Sequence, residues 1–481
     1  MPVGWKEALT APRSVALVGA SKEEGSLNYR LMVGFLNQNP KCKVYLVNPK
    51  WDEFNGHRFH KSLSEIEDEV DVACIMTSAK TVKSVLRECV EKRVPCADII
   101  SAGFGETGHE IGKNLQREIS ELIGGSNTRV LGPNALGVVS PPNNVVLDVY
   151  PDTVHFEKGN VSVIAQSNGV AHLLVEKLLE MGIGTRYVFC LGNQIDLNIS
   201  DVLELLMEDD DTHIVICYVE SLKDIQKFKD VTTSALRRSR PIITIKGGRT
   251  EAGKLAVLSH TASLGGSQNS FVAFGRQTNL LLVNTIQEAL DTTVILESAI
   301  RPKVQGIAAV LNSGGFCALL ADRCGETGIN LPKLSPETTA SMNRLLQDYS
   351  KESHILPVVK NPMDVGFFAF DWRVYLELVR LAARDPNVGV VVSSMLDHDM
   401  LAEQRAKLFI EISKECREMG KLFVCIWAAS YFNDQPVLKM LSQNLVPTFS
   451  SPEQAADAIK QLFAYGAQIS REQNSVFGGS L

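Results

Sequence analysis

The sequence predicts an α/β protein made of parallel sheets covered by helices on both faces. Short runs rich in Val and Ile alternate with longer helical stretches from Ser14 almost to the end, the pattern of strands joined by crossover helices. Many of these runs end in Gly, Pro, Asn or Ser, where an open parallel sheet binds its ligands, at the carboxyl ends of its strands. A length of 481 residues exceeds one hydrophobic core, and at ~100–200 residues per domain about three domains are expected.

The first unit, residues 1–150, has strand-like runs at 14–20, 43–49, 72–77, 98–104 and 128–134. A Pro/Asn-rich segment at 140–144 closes it. The second unit, 151–302, begins its strands near Asn160 and continues through 185–193, 213–220, 241–248 and 280–283. The third, 303–468, holds runs at 306–315, 388–395, 421–428 and 445–449. Units two and three open alike, with an apolar strand, a short Ser/Asn/Gly turn and a helix, so two related sheet domains follow a nucleotide-fold domain. Residues 469–481 show no apolar face and are expected to be a loose tail.

Composition removes several function classes. With 45% hydrophobic and 21% charged residues the chain is neither disordered nor fibrous. A formal net charge of −7 argues against binding the phosphate backbone of nucleic acid. The ten cysteines, among them Cys74, Cys190, Cys217 and Cys425, lie mostly in apolar runs without paired spacing or C-x-x-C, so they read as reduced core residues, and no metal site is expected in the chain. The first twenty residues lack a signal-peptide layout, and apolar runs are strand-length, so a cytoplasmic protein with no membrane role is expected.

Several strand-end turns are candidates for lining a ligand site. After the first strand, Gly19, Ala20 and Ser21 let backbone N–H groups approach a phosphate at a helix start, although a sharp turn needs glycine for conformational reasons alone. The loop is not G-x-G-x-x-G, and the second strand ends in Asn48, Pro49 and Lys50 where a dinucleotide site carries an acid for the ribose, so NAD is disfavoured and a more heavily phosphorylated ligand is suited. Ser101, Ala102 and Gly103 end another strand, and Asn134 follows Gly132 and Pro133. In the second unit Gln166, Ser167, Asn168 and Gly169 follow a buried strand and open a helix, offering hydroxyl and backbone donors; an ordinary N-cap by Ser167 or Asn168 accounts for the same pattern.

At 259–266 the run S-H-T-A-S-L-G-G sets His260 among hydroxyls and the glycines Gly265 and Gly266. With K-G-G-R-T-E-A-G before it, this octet resembles the phosphohistidine segment of ADP-forming acyl-CoA synthetases, relatives of succinyl-CoA synthetase. The resemblance extends in order through G-A-S, V-N-P-K, S-A-G-F-G-E, G-P-N-A-L-G, A-Q-S-N-G, L-G-N-Q-I-D, Y-V-E, N-S-G-G and N-P-M-D-V, over nearly the whole chain. It implies a Rossmann-like CoA-binding domain followed by two flavodoxin-like domains. It also implies CoA held by Gly19, Ala20, Ser21, Asn48, Pro49, Lys50 and the turn Ser101 to Gly103, with Asn134 facing the thioester end. Phosphate would meet Gln166, Ser167, Asn168, Gly169, Gly265 and Gly266. His260 would take a phosphoryl group from an acyl phosphate, with Glu220 as the carboxylate that holds and polarises its ring, a role that suits an imidazole neutral near pH 7. The chain departs from the family at Ala262 and Gly265, which exchange small residues, and at Asn168, where glycine is usual and asparagine's tolerance of left-handed backbone offers an explanation.

The family's enzyme also needs an ATP-grasp part, for which this sequence offers no segment. The resemblance therefore implies an alpha subunit paired with a separate ATP-grasp beta subunit in a hetero-oligomer, with ATP/ADP and Mg2+ on the partner and CoA, acyl-CoA and phosphate as the chain's own ligands. A stand-alone CoA or acyl-CoA-binding regulator, and a nucleotide-independent CoA or acyl transferase, are the other readings of the same cleft.

Overall fold

The computed structural model describes residues 3–38, 41–148, 156–261, 267–349, 357–395, 401–428 and 435–478. They divide into two compact units, Met1–Asn284 and Thr285–Leu481. Among the described residues no helix is long and apolar enough to cross a membrane.

The first unit contains two sheets. One is formed by β1 (Ser14–Val18), β2 (Lys43–Val47), β3 (Glu53–Phe54), β4 (His57–His60), β5 (Val72–Ile75), β6 (Cys96–Ile99) and β7 (Arg129–Leu131), in the order β3-β4-β2-β1-β5-β6-β7. All its pairings are parallel except β3 with β4. Strand β1 is buried at every position, and its two faces enter different cores: Val15 and Leu17 pack with Met32 and Phe35, Ala16 and Val18 with Val82 and Leu86. A strand covered by helices on both sides must be apolar throughout, which is why it reads as a continuous hydrophobic run.

The second sheet comprises β8 (Gly137–Ser140), β9 (Val145–Val146), β10 (Lys158–Ala165), β11 (Thr185–Cys190), β12 (Ile214–Val219), β13 (Ile242–Lys246) and β14 (Leu281–Val283), ordered β14-β13-β12-β10-β11-β8-β9. Here β8 runs antiparallel to β11, with Val139 opposite Val188. The expected boundary near 150 therefore falls too late. The Pro/Asn segment is the turn of a hairpin, a 3-10 turn at Pro141–Asn143 with Asn144 at φ 53°; Val138 and Val139 before it lie on β8, which covers the edge of β11, and Val145 and Val146 after it lie on β9, which pairs with β8.

The second unit has one wholly parallel sheet of β15 (Ile307–Leu311), β16 (Met363–Asp364), β17 (Val390–Met395), β18 (Leu422–Trp427) and β19 (Thr448–Phe449), ordered β16-β15-β17-β18-β19. Two expectations change here. The helix Ile286–Glu297, placed before a boundary at 302, packs against the helix Pro452–Gly478 and belongs with this unit. Within the tail expected to be loose, residues 469–478 continue that last helix, since Gln468, Arg471, Glu472 and Gln473 are good helix formers.

Candidate functional site

The first cleft lies where β1, β2, β5 and β6 end. Gly19 turns the chain at φ 98°, and a side chain there would press on the Met76 backbone and on Thr77, each a little over 3 Å away, so only glycine suits the position. Its N–H bonds to the Val47 carbonyl at 2.8 Å. Asn48 donates to the Ala20 carbonyl at 2.7 Å and accepts from the Lys50 N–H at 3.0 Å, so its amide braces the turn against the end of β2. Pro49 and Lys50 are exposed, Ser21 is buried, and the Lys22 ammonium lies 5.8 Å from the Trp51 ring centre. The Thr77 hydroxyl and the Trp51 indole N–H are buried without a hydrogen-bond partner among the described residues. Such unmatched polar groups at strand ends fit a polyphosphorylated ligand that the cleft would close around.

A second set of turns meets beside it. Ser101 donates to the Thr77 carbonyl at 2.6 Å, and its own carbonyl accepts from the Asn134 N–H at 3.0 Å. Ala102 is exposed, and Gly103, at φ 109°, and Phe104 both donate to the Glu106 carboxylate. Asn193 donates to Glu106 at 2.6 Å and to Gln116 at 2.9 Å. The L-G-N-Q-I-D turn at 191–196 thus docks on the end of β7. Asn193 and Ile195 bond to the Pro133 and Gly132 carbonyls, and Asp196 clasps Arg129 through both oxygens. Asn134 sits in left-handed backbone at φ 58°.

The third group gathers at the ends of β10, β12 and β13. Ser167 occupies the N-cap position of the helix Asn168–Glu180 but makes no capping hydrogen bond through its side chain, so the plain N-cap reading of this hydroxyl fails. Asn168 has right-handed backbone; its side chain instead accepts from the Leu136 N–H at 3.2 Å and donates to the Asn134 carbonyl at 3.3 Å. The explanation from left-handed geometry is therefore replaced by one from bonding. Gly169 is exposed with open space where a side chain would lie. Gln166, expected among the phosphate donors, is buried and its amide is engaged: it accepts from the Glu220 and Ser221 N–H groups and donates to the Ser221 carbonyl at 2.6 Å.

Glu220 itself is 2% exposed at the end of β12. Around it stand two residues the sequence reading left out. The Lys246 ammonium, 7% exposed, donates to the Glu220 carbonyl at 2.8 Å and to the Gly247 carbonyl. Burial pulls its pKa below the ordinary lysine value, a fall the nearby Glu220 charge opposes. Tyr218 is raised, first by burial and then by the Glu220 charge beside its hydroxyl. A lysine and a tyrosine closing otherwise apolar strands were the available signals.

The helix Glu251–Thr261 follows β13 and packs against the turn Gly105–Thr107, so the element carrying His260 lies beside the 101–106 turn. Gly265 and Gly266 lie outside the described residues, as does the His260 side chain.

Two family models match the chain: a CoA binding domain over residues 13–141 and a succinyl-CoA ligase like flavodoxin domain over 158–296. The chain is 32% identical to the alpha subunit of ADP-forming acetate–CoA ligase II of Pyrococcus furiosus, over 93% of this chain and 95% of that one. It is 31% identical to the ADP-forming acetate–CoA ligase of Methanocaldococcus jannaschii over 96% of this chain, spanning 64% of that longer protein. Its structure superposes on that of acetyl-coenzyme A synthetase 1 of Ca. Korarchaeum cryptofilum, solved in complex with phosphate and ADP, with a TM-score of 0.85, 27% identity and 98% of both chains covered.

Proposed function

This chain belongs to the family of ADP-forming acetate–CoA ligases, and on that premise we propose that it carries a phosphoryl group on His260 between an acyl phosphate and a nucleotide site on a partner. The chain is the alpha-subunit type of an acid–thiol ligase, working on CoA and a nucleoside diphosphate. Acetate or another small carboxylic acid is its substrate class.

In the proposed sequence a phosphate oxygen attacks the thioester carbonyl, the carbon–sulfur bond breaks, and CoA leaves as thiolate, to be protonated. A neutral His260 nitrogen then attacks the phosphorus of the acyl phosphate; the bond to the acyl oxygen breaks and the carboxylate leaves. The phosphoryl group passes to ADP on an ATP-grasp beta subunit, which also holds Mg2+. On this chain Gly19, Ala20, Ser21, Asn48, Pro49, Lys50 and the Ser101–Gly103 turn form the CoA cleft, with Thr77 and Trp51 as added donors, and Asn134 faces the thioester end. Ser167 and the N–H groups at Asn168 and Gly169 receive phosphate at a helix start, with Gly265 and Gly266 completing the site. Glu220 orients the His260 ring and offsets the positive charge that develops on it.

The observation that carries this reading is the convergence of a buried carboxylate, an uncapped helix start with a serine hydroxyl, and the His260 helix following the adjacent strand. Mixed with its ATP-grasp subunit, the chain should form ATP from acetyl-CoA, ADP and phosphate, whereas each alone should not. ATP formation by this chain alone would overturn the reading, and so would release of CoA independent of phosphate.

A further inference from the structure

Strand β12 ends at Val219, so the next residue has left the hydrogen-bond ladder of its sheet. A main chain at that point ordinarily turns to water. At Glu220 both backbone groups are instead taken by buried side chains from the neighbouring strands: its N–H by Gln166, which follows β10, and its carbonyl by Lys246, which ends β13. Gln166 extends the clamp to Ser221, accepting from its N–H at 2.9 Å and donating to its carbonyl at 2.6 Å.

Lysine is a costly residue for such a purpose. A neutral donor would satisfy two carbonyl oxygens without desolvating a charge. An ammonium beneath the Phe271 ring, 5.7 Å from its centre, gains most from a neighbouring anion, and Glu220 is that anion.

We propose that Lys246 and Gln166 are positioning residues for phosphoryl transfer, gripping the main chain at Glu220 from both sides so that its carboxylate is held in one place for the phosphohistidine step. The inference rests on the roles of Glu220 and His260 given above and adds to them two residues that act only through Glu220.

The test is the rate of phosphorylation of the full chain by radiolabelled acetyl phosphate, in a cycle of Lys246→Met, Glu220→Gln and the double variant. Lys246→Met should lower the maximal labelling rate roughly tenfold, leave the half-saturating acetyl phosphate concentration unchanged, and be largely rescued by Lys246→Arg. In the Glu220→Gln background it should cost little more, because the group it serves is already gone. Gln166→Glu, which keeps the shape and the one oxygen that accepts from Glu220 and Ser221 but loses the N–H given to the Ser221 carbonyl, reads the same cycle should Lys246→Met fail to fold. If the losses multiply while Glu220→Gln is itself slow, Lys246 works independently and the inference falls alone. If Glu220→Gln labels at the unsubstituted rate, the role of Glu220 falls and takes the inference with it.

Discussion

Asp98, on β6, is fully buried, and neither carboxyl oxygen has a hydrogen-bond partner among the described residues. Burial, and next the charge of Asp148, push its pKa up to about 8. An acid whose folded pKa is raised binds its proton more tightly in the folded than in the unfolded chain. Its contribution is therefore present below its ordinary range and is lost as pH climbs towards 8. Stability should fall by up to about 1.4 kcal/mol per pH unit across that window, and Asp98→Asn should flatten the decline in denaturant melts taken at stepped pH. Asp291, pushed up to about 7 by burial, acts in the same direction and would leave a residual slope. An unchanged profile in Asp98→Asn would contradict this account. At this scale legibility follows chemistry: His260 and Glu220 are legible because they stand in ordered motifs, whereas Lys246, Thr77 and Tyr218 take their significance from neighbours on other strands, which one sequence does not display. Gln166 shows the converse, since its motif announces a polar turn and only the fold reveals that its amide holds the main chain just past β12.

Long buried strands announce themselves and short ones do not. Runs such as 14–18 and 242–246 are apolar at nearly every position because helices cover both faces, whereas β3, β4 and β16 are two to four residues long and lack that signal. The turns are legible as turns, but their docking is not. Gly192 is the clearest case: it lies at φ 55°, and a side chain there would overlap the carbonyl oxygens of Pro133 and Asn134. Both obstacles are backbone and cannot swing aside. Gly192→Ala should therefore destabilise the first unit by about 2–4 kcal/mol, seen as an earlier unfolding midpoint. Because the same contact fixes Asn134, the variant should also bind CoA more weakly. A midpoint within error of the unsubstituted chain would show that the 191–196 turn is not docked on β7 as described.

Over the whole molecule, the two sheets of the first unit share one core, in which Leu131 and Ala135 lie in the same cluster as Leu191, Leu197 and Val215. Individual strands cannot reveal such sharing, because a buried leucine reads alike whichever sheet it covers, and so the two sheets expected as separate domains on either side of 150 fall within one unit while the α/β class stands. The first unit contains the proposed CoA cleft, the 101–106 turn, the Glu220 cluster and the His260 helix, as the proposed transfer of a phosphoryl group from acyl phosphate to histidine requires. That transfer is the central claim, and locating the phosphoryl group tests it most directly. After incubation with acetyl-CoA and radiolabelled phosphate, the chain should carry an acid-labile, base-stable label that peptide mapping assigns to His260 and that His260→Asn abolishes. An acid-stable label on Ser167 or Ser259, or labelling undiminished in His260→Asn, would contradict it.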